Sequence, residues 1–259
     1  GGCLAHEWLH GLDKLLLESQ GGTAKAEDFL TDDPSLLPPG PLRNAFQGLR
    51  DAFTTGQHRI KQRLIYTPEH YRLAQRNITR DHMPEAMREY GLPNAARIIK
   101  EARDASTALD KLEILYEPLI ARGQRGAKKH LADWRNVALA YHGGQPEGGS
   151  LVVETGKPQS SFAMEAQKLD NGSFGKYWSK PHEMAARAFQ SYVEDKLTSQ
   201  GRRNDYLSAK ADNKYYRMDG VAPFPEGEER TRINAASDKL IAAMQADNEA
   251  KRQKYQSEL

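Results

Sequence analysis

The sequence predicts a mainly α-helical protein with little β-structure. Apolar residues recur at spacings of three and four over most of the chain, which is typical of amphipathic helices. Only residues 151–153 form a clear β-branched run. A mean hydropathy of −0.77 and a charged fraction of 28% fit helices with polar outer faces.

Helical spacing and capping residues place the elements along the chain. Predicted helices cover residues 4–18, 41–54, 106–122, 124–141, 161–169, 181–197 and 230–258. Proline at the first helical position indicates further helix starts at Pro68 (with Thr67 as N-cap), Pro84 and Pro93. The middle of the chain is thus predicted to be wholly helical. Loop chemistry marks residues 23–40, most of 142–160, and 200–227.

Composition excludes several classes of protein. No apolar run approaches the roughly 20 residues that cross a bilayer, so no membrane contact is expected, and no signal peptide is visible. The single cysteine, Cys3, excludes an internal disulfide; we interpret it as a small buried residue, with metal ligation as the alternative. A net charge of +2 argues against a dedicated nucleic-acid binder, although the basic excess within residues 43–135 weakly indicates such contact.

The strongest chemical signal is the segment His6-Glu7-Trp8-Leu9-His10, an HExxH pattern. Two histidines four apart lie on one face of a helix, so both imidazoles can reach one metal ion. Glu7 is then placed to take a proton from a metal-bound water. Two half-buried histidines in an amphipathic helix are the alternative interpretation. The sequence therefore predicts a mononuclear Zn²⁺ site with His6 and His10 as ligands.

A catalytic zinc ion normally has three protein ligands and an open position for water. The metzincin pattern would place a third histidine at position 16, but Asp13 and Leu16 exclude that class. The third ligand must therefore come from elsewhere. The best candidate is Glu183, on the predicted helix 181–197, and His182 is its rival.

Two further residues have candidate roles at this site. Asp13 follows His10 by one helical turn and is predicted either to orient that imidazole or to lie on the surface. Tyr177 precedes Glu183 by a short segment. Its hydroxyl is a candidate to stabilise the oxyanion that forms when water attacks a carbonyl, with packing as the alternative.

Three blocks of the sequence resemble a known family. Residues 6–13 (HEWLHGLD), 177–189 (YWSKPHEMAARAF) and 225–230 (PEGEER) resemble the large polyvalent protein-associated domain of the first type. That family occurs in long multidomain proteins of phages and conjugative elements. The resemblance implies a part of a larger polypeptide or virion assembly, either virion-associated or in the host cytoplasm.

The first two blocks are also similar to the catalytic domain of anthrax lethal factor, a gluzincin-type peptidase. Its HExxH is followed by an aspartate at the place of Asp13, and its third ligand opens a Glu-x-x-Ala-x-Ala-Phe block that matches Glu183 to Phe189. The resemblance implies zinc ligation by Glu183 and a catalytic role for Tyr177. Such peptidases usually place a β-strand before the zinc helix. Because only five residues precede His6, we expect that strand to be missing or supplied by another segment.

The resulting prediction is a single zincin-like (gluzincin) domain over residues 1–259. Residues 41–145 form a helical insertion, and residues 161–259 contain the third-ligand helix and the C-terminal helix. Because the chain begins with Gly1 rather than Met, it is expected to be an excerpt or a processed product. The predicted activity is that of a zinc metalloendopeptidase acting on a protein or peptide substrate. The alternative is a non-catalytic structural or interaction module that retains the fold.

Overall fold

The computed structural model describes residues 4–19, 25, 27–79, 93–170, 176–214, 217 and 220–258. Within these ranges the chain is mainly helical, which confirms that part of the prediction; the zincin core itself stays a prediction. Cys3 and the helix start at Pro84 lie outside the described residues. Among the described helices, none is both long and apolar enough to cross a membrane.

The described residues contain nine α-helices and two β-strands. The helices are α1 (Leu4–Ser19), α2 (Pro41–Thr54), α3 (Pro68–Ala74), α4 (Pro93–Glu101), α5 (Ala105–Ala121), α6 (Ala127–Gly143), α7 (Ser161–Asp170), α8 (Pro181–Ser199) and α9 (Gly227–Ser257). The strands are β1 (Thr55–Tyr66) and β2 (Gly149–Gln159). A 3-10 turn covers Pro34–Leu36, and a π-helical turn at Gln75–Thr79 extends α3.

Strands β1 and β2 pair as a two-stranded antiparallel sheet. At one end the Ser160 amide donates to the Thr54 carbonyl over 2.9 Å, and at the other end Gly148 lies against the Tyr66 backbone. The prediction of a wholly helical middle was therefore wrong at β1, and the predicted loop was wrong over β2. Tyr66 is the only fully buried side chain of β1, so no apolar alternation marks this strand in the sequence.

The chain folds into two compact units. The first contains Gly1–His58 and Pro158–Leu259, and the second contains Arg59–Lys157. The chain leaves the first unit within β1 and returns to it within β2. The predicted insertion at 41–145 overlaps with the second unit but also includes α2, which packs against α8 and α9 in the first unit.

The core of the first unit forms around α8, which packs against α1, α2 and α9. Every residue from Glu183 to Tyr192 is buried. Ala185, Ala186 and Ala188 are fully enclosed, and such short side chains let neighbouring helices approach closely. Large side chains complete this core: Leu9, Phe46, Phe53, Phe162, Met184 and Ile233.

Hydrogen bonds from outside the helix pair the first amides of two helices in the first unit. The first amides of α1, at Leu4 and Ala5, donate to carbonyls of the loop at Tyr206 and Leu207. Glu229 of α9 accepts the amide hydrogens of Ser161 and Phe162 at the start of α7, over 2.7 and 3.0 Å. These bonds satisfy groups that every helix start leaves unpaired.

The second unit contains α3 to α6 around a core that includes Ile99, Leu109, Leu112 and Trp134. Thr67 caps α3 as predicted, in a capping box whose other member is His70. Asp104 caps α5: one carboxylate oxygen accepts both the Thr107 amide and the Thr107 hydroxyl over 2.8 Å.

Because of the cap at Asp104, we expect the second unit to lose stability at acidic pH. Its hydrogen bonds from Thr107 and the nearby Arg103 lower the pKa of Asp104 from 3.8 to about 2. Because the folded pKa lies below the unfolded one, this stabilisation is complete above pH 3.8 and is lost as the pH falls through the folded pKa. We expect Asp104→Ala to cost about 1 kcal/mol in urea unfolding at pH 6.

Asp104→Asn is the matched control, because asparagine caps helices about as well but carries no charge. This variant should keep most of the stability at pH 6 and lose less than the wild type on acidification. Equal losses in wild type and Asp104→Asn between pH 4 and pH 2 would contradict the assignment.

Candidate metal centre

The predicted ligands come from two helices that pack against each other. His6 and His10 lie one turn apart on α1, and Glu183 lies in the first turn of α8. Leu9, which lies between His6 and His10 in the sequence, is buried. Its burial fixes the face of α1 that packs against α8. The structure thus brings together the three side chains that the sequence proposed as ligands.

The donor atoms of these three side chains lie within 4.8 Å of one another. His6 Nε2 is 3.3 Å from His10 Nε2 and 3.3 Å from Glu183 Oε2, and His10 Nε2 is 3.7 Å from Glu183 Oε1. Ligand bonds of about 2.0–2.1 Å in a tetrahedral zinc site separate the donor atoms by about 3.3–3.5 Å. Two of the three separations fall in this range, and the third, from His10 Nε2 to the other oxygen of Glu183, exceeds it by about 0.2 Å.

Hydrogen bonding within the protein leaves this cluster incomplete. Among the described residues, Glu183 Oε2 is buried without a hydrogen-bond partner. His6 and His10 face each other through their Nε2 nitrogens, and a neutral imidazole carries a hydrogen on only one of its nitrogens. At least one of these two Nε2 atoms must therefore act as an acceptor in the contact. A cation held between the three groups would accept one lone pair from each of them.

The charges around Glu183 favour the ionised carboxylate. Burial alone would raise the pKa of Glu183, but interactions with His10, His6 and Tyr177 lower it well below its ordinary value. Glu183 in turn raises the pKa of His10, against the effect of burial. The carboxylate is therefore charged at neutral pH, as a metal ligand must be.

The two predicted catalytic residues, Glu7 and Tyr177, are both exposed to solvent. Glu7 is exposed on α1 beside His6, and its charge acts on both His10 and Tyr177. Tyr177 is 40% exposed, and desolvation together with Glu183 raises its pKa to about 12. Its hydroxyl therefore keeps its proton at neutral pH and can donate a hydrogen bond.

An aspartate positions the segment that carries Tyr177. Asp170, at the end of α7, accepts the backbone amides of Tyr177, Trp178 and Ser179 over 2.8, 2.7 and 3.0 Å. This fixes the approach of the chain to α8. No pattern in the sequence identifies Asp170, because its three donors follow it by seven, eight and nine residues, a spacing that no local motif marks.

A buried arginine lies one turn after Glu183 on α8. Arg187 is 4% exposed; its Nη2 donates to the Trp178 carbonyl over 2.6 Å, and its guanidinium lies 4.8 Å from the Trp178 ring centre. Burial lowers the pKa of Arg187 to about 10, so it stays charged at neutral pH near Glu183 and Asp170. Sequence analysis missed this residue, although a Glu and an Arg four apart in an otherwise small and apolar run indicate a paired charge.

Asp13 occupies neither of the two positions considered for it. Its side chain is buried, with 1% exposure, and it accepts hydrogen bonds from the Leu30 amide, the Thr31 amide (3.2 Å) and the Thr31 hydroxyl (2.6 Å). These partners belong to the loop after α1 and not to His10. Asp13 therefore anchors this loop to the helix that carries the two histidines.

His182 lies beside the three donor groups but not among them. Its backbone amide and its Nδ1 both contact the Asp32 carboxylate, over 2.8 and 2.7 Å. Its Nε2 is 3.9 Å from Glu183 Oε1. The geometry favours Glu183 over His182 as the third member of the cluster.

One family model matches the C-terminal part of the chain. Residues 169–248 match the family model of large polyvalent protein-associated domain 1. The match confirms the family that the sequence resembles and supports the link to phage and mobile-element polyvalent proteins. No curated protein and no solved structure matches the chain, so the resemblance to lethal factor is not shown.

The matched part of the chain contains only one side of the candidate centre. It covers Asp170, Tyr177, Glu183 and most of α9. His6 and His10 lie outside it on α1. The match therefore carries information about α8 and α9 but none about the HExxH helix.

The anchoring role of Asp13 can be tested by unfolding. We expect Asp13→Ala to destabilise the chain by about 2–3 kcal/mol, because it leaves buried donors of residues 30–31 unpaired. Glu18→Ala, which removes an exposed carboxylate from the same helix, should change the stability by less than about 0.5 kcal/mol. Chemical denaturation followed by circular dichroism measures both. Equal stability of the two variants would show that the loop does not depend on Asp13.

Proposed function

We propose that this chain is a zinc-dependent metallopeptidase domain of a phage or mobile-element multidomain protein. The observation that carries the proposal is the convergence of His6, His10 and Glu183 within 4.8 Å, on two helices packed against each other. The HExxH pattern adds Glu7 next to the first of these residues.

The donor set favours zinc over harder cations. Two imidazole nitrogens and one carboxylate are typical zinc ligands, whereas magnesium and calcium prefer oxygen ligands throughout. Three protein ligands also leave one of four positions open, as catalytic zinc sites do. When bound, zinc polarises a carbonyl group and lowers the pKa of a bound water towards about 7.

The remaining chemistry would be performed by side chains of this chain. Glu7 is exposed beside His6 and would accept a proton from the attacking water and pass it to the leaving amine. Tyr177 keeps its proton, so its hydroxyl can donate to the carbonyl oxygen as that atom becomes negative. A peptide bond is the proposed substrate, because peptidases are the class that this motif resembles.

A non-catalytic module is the second candidate function. It is favoured by the extent of the family match, which includes α8 and α9 but neither histidine of α1. The part of this chain that matches the family model is thus a set of helices around Glu183. Such a scaffold could serve as a structural or interaction part of a larger polypeptide without hydrolysing anything.

Metal content is the first test. We expect elemental analysis of the purified chain to find one zinc per molecule, because three donors converge on one point. Glu183→Ala should lose the ion, since it removes the only carboxylate of the set. His182→Ala is the matched control on the adjacent residue and should retain it. A folded wild-type chain that takes up no zinc, even when zinc is added, would overturn the metallopeptidase proposal.

Proteolysis is the second test. With denatured casein as substrate, we expect cleavage by the zinc-loaded wild type and a loss of about 100-fold or more in Glu7→Gln, because the general base is removed. Zinc content should be unchanged in this variant. Tyr177→Phe should reduce the rate while leaving casein binding intact. Full zinc occupancy with no cleavage of casein or a random peptide library would favour the non-catalytic module.

A further inference from the structure

His182 is held in place by Asp32 and Phe29, two residues of the loop after α1. Its amide and its ring Nδ1 both contact Asp32, and its ring stacks on Phe29 with centres 4.2 Å apart. The side chain is only 14% exposed. Asp32 belongs to the same loop that Asp13 anchors to α1 through Thr31. The orientation of this imidazole is therefore fixed by Asp32 at its edge and by Phe29 on its face.

Asp32 also decides which nitrogen of His182 carries the hydrogen. The carboxylate can only accept, so the 2.7 Å contact requires a hydrogen on Nδ1. In the neutral ring, Nε2 then keeps its lone pair and acts as an acceptor. Nε2 is the nitrogen that faces Glu183.

The distance from His182 Nε2 to the cluster suits neither a ligand nor a direct hydrogen bond. At 3.9 Å from Glu183 Oε1 it exceeds the hydrogen-bond range, and it falls outside the group of donors that share one point. A gap of this length between polar atoms is typical of a position bridged by a small oxygen-containing molecule.

We propose that His182, positioned by Asp32, accepts a hydrogen bond from an oxygen or nitrogen ligand at the open position of the metal centre. The ligand class is one that carries an O–H or N–H donor next to the metal-binding atom, such as water or a hydroxamic acid. This inference rests on the proposed function and deepens it. It assigns His182 a positioning role at the open coordination position, distinct from proton transfer by Glu7.

The test uses the full chain loaded with Co²⁺ in place of zinc, with acetohydroxamic acid as the probe. Its binding is measured from the change in the visible Co²⁺ absorption. We expect His182→Ala to weaken binding about tenfold while keeping one metal ion per chain, because residues behind a metal site typically contribute 10- to 100-fold. His130→Ala, a histidine of the second unit, should bind the probe like the wild type.

Asp32→Asn tests the positioning step separately. The amide can still accept the His182 backbone hydrogen through its oxygen, but its NH₂ group faces Nδ1 and forces the ring hydrogen onto Nε2. The acceptor is then lost without removing the imidazole. We expect probe binding to weaken about tenfold, again with full metal content.

Each other outcome overturns the inference in a different way. If His182→Ala loses the metal as Glu183→Ala does, His182 is a ligand, and the metal centre stands with a different donor set. If both variants keep the metal and bind the probe like the wild type, His182 has no role at the open position, and the metallopeptidase proposal stands. If the wild type binds no metal, the proposed function fails and this inference with it.

Discussion

The close packing of α1 against α8 is the contact on which the candidate site depends. Alanines on α8 and Leu9 on α1 belong to one buried core, next to the residues that carry the polar side chains. A bulkier residue at the fully buried Ala185 or Ala186 would disturb the packing of α8. Donor atoms separated by 3.3–3.7 Å tolerate little movement of this helix.

Three aspartates hold the loops around the site in place through hydrogen bonds. Asp13 holds residues 30–31, Asp32 holds His182, and Asp170 holds the segment that begins at Tyr177. Each accepts at least one backbone amide that would otherwise be unpaired, so each fixes a loop, and Asp13 does so at the cost of burying its carboxylate. Hydrogen bonds to charged acceptors are about twice as strong as neutral ones, which offsets that cost.

Charge compensation around Glu183 gives the site its electrostatic character. Arg187 lies one turn away with almost no exposure, and the two histidines lie on the other side of the carboxylate. A buried, ionised carboxylate surrounded by partial and full positive charges is prepared to bind a cation without first losing a proton. The family match covers this half of the arrangement and leaves α1 to be supplied by the rest of the chain.

Sequence alone determined the features that depend on local spacing. The helix boundaries follow from apolar periodicity and from caps such as Thr67, and the pairing of His6 with His10 follows from the helical repeat. Glu183 was preferred to His182 as a carboxylate on a second predicted helix, and the motif resemblance strengthened that choice. Tertiary structure decided the rest, because the contacts are distant in the chain. β1 exists through its pairing with β2, Asp13 binds a loop instead of His10, and Asp32 meets His182 across 150 residues. No local pattern encodes such contacts, since each depends on which buried surfaces meet when the helices pack.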